Sequence, residues 1–195
     1  MSDPEKYRRY VKGRYRKKPT SYSWDTEPGI ARNLLYEIIR QEKPTSILDI
    51  GCGKGQDSTK ISSADVKYVG VDPVPENINW AKKNNPEGDF RLGYMQELPF
   101  PDDSFDWSYS ISVWEGLPDC GDMIKGIKEA LRVTKHKFYN IDFGGRLQCF
   151  IERYMAIPPW YSVKIQRVTY HAPYDKAVVI WEIEKRPKPV DTIKI

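Results

Sequence analysis

The first half of the chain alternates between helix-like and strand-like hydrophobic patterns. Within residues 29–41, apolar side chains recur at spacings of three and four, which is typical of an amphipathic helix. These side chains are Ile30, Leu34, Leu35, Ile38 and Ile39. Short apolar runs follow at 46–50 and 67–72, and turn-forming residues bound each of them. The pattern therefore predicts a helix followed by two buried strands.

The same alternation continues toward the middle of the chain. Helical spacing predicts a short helix over 56–63 and longer ones over 76–84 and 122–133. Apolar runs predict strands over 89–94, 106–113 and 137–143, with a loop at 98–105. Strands that alternate with helices favour a parallel sheet covered by helices on both faces.

The C-terminal part of the chain follows a different period. Residues 163–170 and 177–184 each alternate between apolar and polar positions, and six turn-like residues separate them. Two adjacent alternating runs predict an antiparallel hairpin at one edge of the parallel sheet. The predicted fold class is α/β, a doubly wound, mainly parallel seven-stranded sheet with a C-terminal antiparallel hairpin and helices on both faces.

Composition favours a soluble globular protein. The chain has 195 residues, of which 39% are hydrophobic and 30% are charged. The most apolar run, at 177–181, is too short to span a bilayer, and the charged N-terminus does not resemble a signal peptide. The three cysteines are scattered and form no CxxC pair, so neither a zinc site nor a disulfide framework is expected. A cytoplasmic protein without membrane contact is predicted.

Positive charge is concentrated at the N-terminus. Residues 1–18 hold eight basic and two acidic side chains, a net charge of +6, whereas the whole chain carries +4. Four tyrosines punctuate the region up to position 22, a mixture that suits nucleic-acid binding, although a solvated tail with aromatic anchors is the favoured interpretation. The sequence thus suggests a basic, Tyr-rich arm or lid over 1–26 and a single domain over 27–195.

The stretch ILDIGCGKG at 47–55 places three glycines at alternate positions after a strand. A strand that ends in a glycine-rich turn and feeds a helix is a nucleotide-binding device, because the helix N-terminus offers free N–H groups. Asp72 ends the next predicted strand, 21 residues beyond Gly51, where an acid binds ribose hydroxyls. The dinucleotide fingerprint GxGxxG requires glycine where the chain has Gln56, which disfavours a nicotinamide-dependent oxidoreductase.

Several motifs together resemble class I S-adenosylmethionine-dependent methyltransferases, in particular the small-molecule-like group called type 11. Besides ILDIGCGKG, these are YVGVDP at 68–73, ELPFPDDSFDWSYS at 97–110 and SISVWEGLPD at 110–119, in family order. The resemblance implies a Rossmann-like fold, an enzyme that transfers a methyl group, and S-adenosyl-L-methionine as its cofactor. No metal is implied.

The resemblance also implies roles for individual residues. Gly51, Gly53 and the backbone around Cys52 would line the methionine part of the cofactor. Asp49 would fix the loop and reach the cofactor amino group, directly or through water. Asp72, followed by Pro73, would hold the ribose. Met95 and Gln96 would flank the adenine, and Ser110 would lie beneath the sulfonium. Trp24 resembles the aromatic lid of some relatives, although it equally suits a staple on the helix at 29–41.

Two departures from the family pattern concern recognition and catalysis. Tyr94 stands where relatives often carry an acid that meets the adenine amino group, and Gly116 stands where they often have a histidine. His171, Glu115, Tyr174 and Asp142 are the available general bases, and none is assigned. Asp142 and Glu152 are expected to be solvated surface residues.

The methyl acceptor is left open by the sequence. Segment 144–162 and the N-terminal arm are expected to form the acceptor pocket. A small-molecule acceptor is the leading interpretation. The alternatives are an RNA acceptor tracked by the basic arm, and a subunit that binds the cofactor without catalysis and serves a partner. The oligomeric state is not predicted.

Overall fold

The computed structural model describes residues 27–114, 117, 120–142, 157–169 and 177–186. In this part of the chain four helices alternate with strands in the predicted order. They are α1 (Glu27–Glu42), α2 (Ser58–Ser62), α3 (Pro75–Asn84) and α4 (Cys120–Val133). The strands are β1 (Ser46–Ile50), β2 (Lys67–Asp72), β3 (Asp89–Leu92), β4 (Phe105–Ile111), β5 (Thr134–Asp142), β6 (Tyr161–Thr169) and β7 (Ala177–Lys185).

The seven strands form one sheet with the order β3-β2-β1-β4-β5-β7-β6. The first five strands run parallel, whereas β7 pairs antiparallel with both β5 and β6. The order reverses between β1 and β4, which creates a crevice beyond the carboxyl ends of these strands. The predicted fold class, including the antiparallel pair at one edge, is confirmed.

Each face of the sheet carries its own apolar core. Successive residues of a strand point to opposite faces, so Ile47 and Leu48 of β1 belong to different clusters. The Ile47 side packs against α1, α2 and α3, and the Leu48 side packs against α4. On α3, Ile78 and Ala81 are buried against the sheet. Helices thus cover both faces of the sheet, and the carboxyl edge of the parallel strands is the edge at which open α/β sheets bind ligands.

Element boundaries differ from the sequence prediction by a few residues. Helix α4 begins two residues earlier than expected, and β5 follows it without a loop. On α1, Leu35 and Ile39 are buried, whereas Leu34 is 37% exposed and Ile38 only partly buried. The apolar stripe predicted for this helix is therefore too wide, because α1 contacts the sheet along a narrow line of side chains.

The cysteines depart from expectation. Cys120 is disulfide-bonded, while Cys52 is free and buried. The prediction of no disulfide is therefore wrong, because spacing along the chain does not report which cysteines the fold brings within bonding distance. Among the described helices, none combines the length and the apolar composition needed to cross a membrane.

Candidate functional site

The glycine loop, residues 51–55, lies where β1 ends, and its three glycines are in different structural environments. All three have positive φ angles, +83° at Gly51, +55° at Gly53 and +68° at Gly55. A Cβ at Gly51 would collide with Val113, and one at Gly55 would collide with the ring of Phe90. A Cβ at Gly53 would meet nothing within 4 Å. Only Gly53 therefore combines a left-handed backbone with open space beside it.

Asp72 connects the end of β2 to this loop. Its carboxylate is 2% exposed and accepts hydrogen bonds from the Gly53 N–H at 3.0 Å, the Val74 N–H at 2.9 Å and the Asn77 side-chain amide at 3.1 Å. Burial raises the pKa of Asp72, and these three hydrogen bonds oppose the shift. The carboxylate is thus held beside Gly53, with Pro73 leading from it into α3.

Backbone hydrogen bonds attach the first residues of the loop to β2. The N–H groups of Gly51 and Cys52 both donate to the carbonyl of Val71, at 2.8 and 3.0 Å. The Cys52 side chain points down onto Gly70, where an added Cβ would lie 2.8 Å from its Sγ. Cys52 therefore offers only its backbone to the open side of the loop.

The turn after β3 places Met95 and Gln96 differently. The Met95 side chain lies in the core against α4, where a Cβ on Gly126 would come within 2.8 Å of its methyl group. Gln96 is only partly buried, yet its Oε1 is buried and accepts no hydrogen bond from any described residue. A water molecule or a ligand with an N–H donor would satisfy a buried carbonyl oxygen of this kind.

A chain of polar side chains crosses from β4 to β5 at the carboxyl edge. The indole N–H of Trp114 donates to the Ser110 hydroxyl at 2.5 Å, and that hydroxyl donates to the Asn140 carbonyl oxygen at 2.8 Å. The Asn140 amide in turn donates to Asp142 at 2.8 Å. Asp142 is only 2% exposed, so its predicted solvated role is wrong. The fold buries it because β5 lies inside the sheet, next to β7.

Some candidates fall outside the described residues. They are Trp24, Glu115, Gly116, Glu152, His171, Tyr174, most of the predicted acceptor segment 144–162 and the N-terminal arm. Within the described part of the chain, no group of three or more histidine, cysteine or carboxylate side chains is arranged to hold a metal ion.

A family comparison bears on this arrangement. Residues 48–137 match the family described as "Methyltransferase domain". The match runs from β1 through the glycine loop, Asp72 and the turn after β3 into β5. This segment, a little under half of the chain, matches a methyltransferase domain, the kind of domain that the motifs predicted. The resemblance inferred from the motifs is confirmed.

Relatives of this methyltransferase domain have different substrates in their names. Mouse 18S rRNA (guanine-N(7))-methyltransferase is 41% identical over 87 residues, which cover 44% of this chain and 31% of that protein. Demethylmenaquinone methyltransferase of Paenarthrobacter aurescens is 30% identical over 129 residues, which cover 66% of this chain and 47% of that protein. The chain thus spans less than half the length of either relative.

The fold of the methyltransferase domain is shared with solved structures. N-methyltransferase NodS of Bradyrhizobium japonicum, in complex with S-adenosyl-L-homocysteine, superposes with a TM-score of 0.70 at 11% identity. The superposition covers 91% of this chain and 98% of NodS. At this identity the likeness establishes the shared Rossmann-like fold.

Sequence reasoning missed a buried polar cluster under the loop of the methyltransferase domain. Asp57, the residue before α2, accepts hydrogen bonds from Arg32 Nε at 2.8 Å and from the Tyr36 hydroxyl at 2.6 Å. The Tyr109 hydroxyl lies 3.3 Å from its other oxygen. An arginine and a tyrosine four residues apart on a predicted helix were the available signal, since such residues share one helix face.

Asp49 belongs to the same cluster. Its carboxylate is 4% exposed and accepts a hydrogen bond from the Tyr68 hydroxyl at 2.7 Å. Burial, and next the negative charge of Asp57, raise the pKa of Asp49 to about 7, although hydrogen bonds from Tyr68 and Tyr109 and the charge of Arg32 lower it. Asp57 is thus paired with the Arg32 guanidinium, and Asp49 lies close enough for both charges to shift its pKa.

The raised pKa of Asp49 leads to a testable pH dependence. Because burial and the charge of Asp57 raise its pKa, the folded protein releases this proton at a higher pH than the unfolded chain, in which the carboxyl group has its ordinary pKa. Between these two pKa values the folded state binds more protons, so the Asp49 contribution to the free energy of unfolding falls as pH rises. Asp49→Asn has no carboxyl group to ionise at this position, so it lacks this loss of stability at high pH. We expect urea unfolding to show the variant more stable than wild type by at least about 1 kcal/mol at pH 8, with the gain vanishing toward pH 4.

Asp106→Asn provides a control of opposite sign. Burial raises the pKa of Asp106, but hydrogen bonds from the Thr45 N–H and hydroxyl outweigh it and hold the pKa below its usual value. Its contribution is present at neutral pH and lost in acid, so this variant should be less stable than wild type at pH 8. If Asp49→Asn also lost stability at pH 8, the Asp49 carboxylate would be ionised without penalty.

Proposed function

We propose that this domain binds S-adenosylmethionine and catalyses methyl transfer. The observation that carries the proposal is the open cradle at Gly53, whose backbone N–H already touches the Asp72 carboxylate at the switch point of the sheet. The cradle admits a ligand against the backbone, and the carboxylate beside it suits two adjacent hydroxyl groups. A ribose provides such a pair.

The residues around the cradle fit the remaining parts of this cofactor. The Gln96 Oε1 supplies an acceptor for the adenine amino group, and the backbone from Gly51 to Gly53 would lie along the methionine part. Asp49 lies under the loop, so its influence on the cofactor amino group would be exerted through the backbone of the loop. When bound, the cofactor supplies an electrophilic methyl group, so the protein has to position the acceptor and exclude water.

The polar chain from Trp114 to Asp142 would form the floor on the acceptor side. Ser110 is fully buried, so it orients Asn140 instead of reaching a ligand directly. Asp142 ends β5, and Ser112 is hydrogen-bonded to the neighbouring Ile141 carbonyl at 3.0 Å. Val113 follows and packs on Gly51. Through these contacts, the end of β5 that carries the Asp142 carboxylate is linked to the glycine loop.

We favour a small-molecule acceptor. The name of the Paenarthrobacter relative refers to a quinone, and that similarity extends over more of the chain than the similarity to the mouse protein. In support, the domain outside residues 1–18 carries a net charge of −2, which gives it no overall attraction for phosphates.

An RNA acceptor is the second candidate. The mouse relative is named for guanine in 18S rRNA and is the more identical of the two, and the basic arm supplies eight cationic side chains. Proteins that neutralise several phosphates bind more weakly as salt rises, because counterions are released. The two candidates therefore differ in the expected salt dependence.

Isothermal calorimetry tests the cofactor. We expect S-adenosylmethionine and S-adenosylhomocysteine to bind and NAD to give no heat. Binding of NAD without either of the others would contradict the proposal. A radiolabelled methyl-transfer survey of metabolite, RNA and protein pools then identifies the acceptor class. Cofactor binding without transfer to any pool would favour the non-catalytic subunit.

Deletion of residues 1–18 separates the two acceptor classes. If the arm acts as a lid over a small-molecule pocket, deletion should lower turnover severalfold with little change in salt dependence. If it tracks RNA, deletion should abolish RNA association, which in the full chain should weaken about tenfold or more between low and moderate salt. We expect the first result, and steep salt dependence of RNA binding would overturn it.

A further inference from the structure

Helix α1 is attached to the glycine loop by a buried ion pair as well as by apolar packing. Arg32 donates from Nε to an Asp57 oxygen at 2.8 Å, and the exposed fractions of the two side chains are 11% and 4%. One turn further along α1, the Tyr36 hydroxyl donates to the same oxygen at 2.6 Å. Two residues on one face of α1 thus converge on a single carboxylate.

Asp57 occupies a position that would normally serve α2 instead. It is the residue before the first turn of that helix, where an aspartate commonly accepts a hydrogen bond from the N–H groups of the turn. Here its side chain makes no such capping bond. The carboxylate points toward α1 and β4 and does not cap α2.

A buried pair of this kind is poor evidence for stability alone. Removing two charges from water costs about as much as their attraction returns, whereas loss of one partner leaves an uncompensated buried charge. In some proteins such a pair instead specifies one arrangement of the elements that it joins. The elements joined here are α1 and the loop residue that follows Gly55 and Gln56.

The loop is then held at two points four residues apart. At Gly53 its N–H is bonded to Asp72, and at Asp57 its carboxylate is bonded to Arg32. The open cradle lies at the first of these two points, and neither Arg32 nor Asp57 borders the empty space at Gly53. The conformation of the cradle depends on both points, because a displacement of Asp57 shifts the chain leading from Gly55.

We propose that Arg32 and Asp57 are positioning residues that couple the docking of α1 to occupation of the glycine loop by S-adenosylmethionine. This inference rests on the proposed function. Coupling is reciprocal, so docked α1 should strengthen ligand binding and bound ligand should hold α1 in place by the same factor.

Calorimetry with S-adenosylhomocysteine tests the coupling on the full chain. Arg32→Gln and Asp57→Asn should each weaken binding about tenfold or more. The double variant should be weaker than wild type by less than the product of the two single effects, since the second change removes a charge that the first left unpaired. Arg40→Gln, which breaks an exposed pair with Glu37 on the same helix, is the matched control and should bind normally.

Hydrogen exchange supplies a readout that a merely structural pair would not change. In wild type, S-adenosylhomocysteine should slow exchange of the α1 amides as well as the loop amides. In the Arg32 and Asp57 variants the ligand should slow only the loop. Tyr36→Phe, which removes one hydrogen bond and leaves the charges paired, is the milder variant if the others fail to fold, and should weaken binding a few fold.

The possible failures are distinguishable. If wild type binds no S-adenosylhomocysteine, the proposed function fails before any variant is compared. If wild type binds and the variants, including Tyr36→Phe, melt at lower temperature with unchanged affinity and unchanged ligand protection of α1, the pair is structural only and the inference is overturned.

Discussion

Gly53→Val is expected to abolish binding of S-adenosylmethionine while most of the fold survives. The valine side chain would enter the space that is open at Gly53, where an added Cβ meets nothing within 4 Å. The φ angle of +55° costs a β-branched residue about 1–2 kcal/mol or more, which lowers stability without destroying the core. Binding should fall below detection in calorimetry, and the cooperative unfolding transition should remain.

Gly55→Val is the matched comparison in the same loop. Its φ angle is also positive, but its Cβ would strike the Phe90 ring and come within 3.3 Å of Ala81. Overpacking adds about 1–3 kcal/mol to the backbone strain, so this variant should lose more stability than Gly53→Val. If Gly53→Val binds normally, the loop is not the ligand site. If the two variants lose equal stability, the space at Gly53 is not open.

Asp72→Ala is expected to weaken S-adenosylhomocysteine binding by about a hundredfold. Two charge-assisted hydrogen bonds to ribose hydroxyls are together worth on the order of 3 kcal/mol. The variant also frees the Gly53 N–H, the Val74 N–H and the Asn77 amide, all of which the carboxylate holds. The measured loss therefore combines lost ligand contacts with a looser loop.

Asn77→Ala separates these two contributions. It removes one of the three donors to the Asp72 carboxylate and leaves the charge in place. We expect less than a tenfold loss of affinity from this change, measured by the same calorimetry. Urea unfolding of both variants reports the stability cost separately. An affinity of Asp72→Ala within threefold of wild type would show that the ribose is held elsewhere.

The sequence by itself determined the order of elements, the fold class and the family. Period-3.6 and period-2 patterns record which residues are buried, so β1, β2, α3 and the hairpin could be predicted from local spacing. The motifs around Gly51 and Asp72 were readable because backbone geometry at a strand-loop-helix junction restricts residue type locally. Both kinds of information lie within short stretches of chain.

Only the tertiary structure decided what each residue touches. Arg32 and Asp57 are 25 residues apart, and no local pattern reports that α1 returns over the loop to pair them. The different environments of Gly51, Gly53 and Gly55 depend on Val113, which follows β4, and on Phe90 in β3, and both are distant from the loop along the chain. The burial of Asp142 likewise depends on the position of β5 within the sheet. Long-range packing sets these environments, and it is a property of the folded chain as a whole.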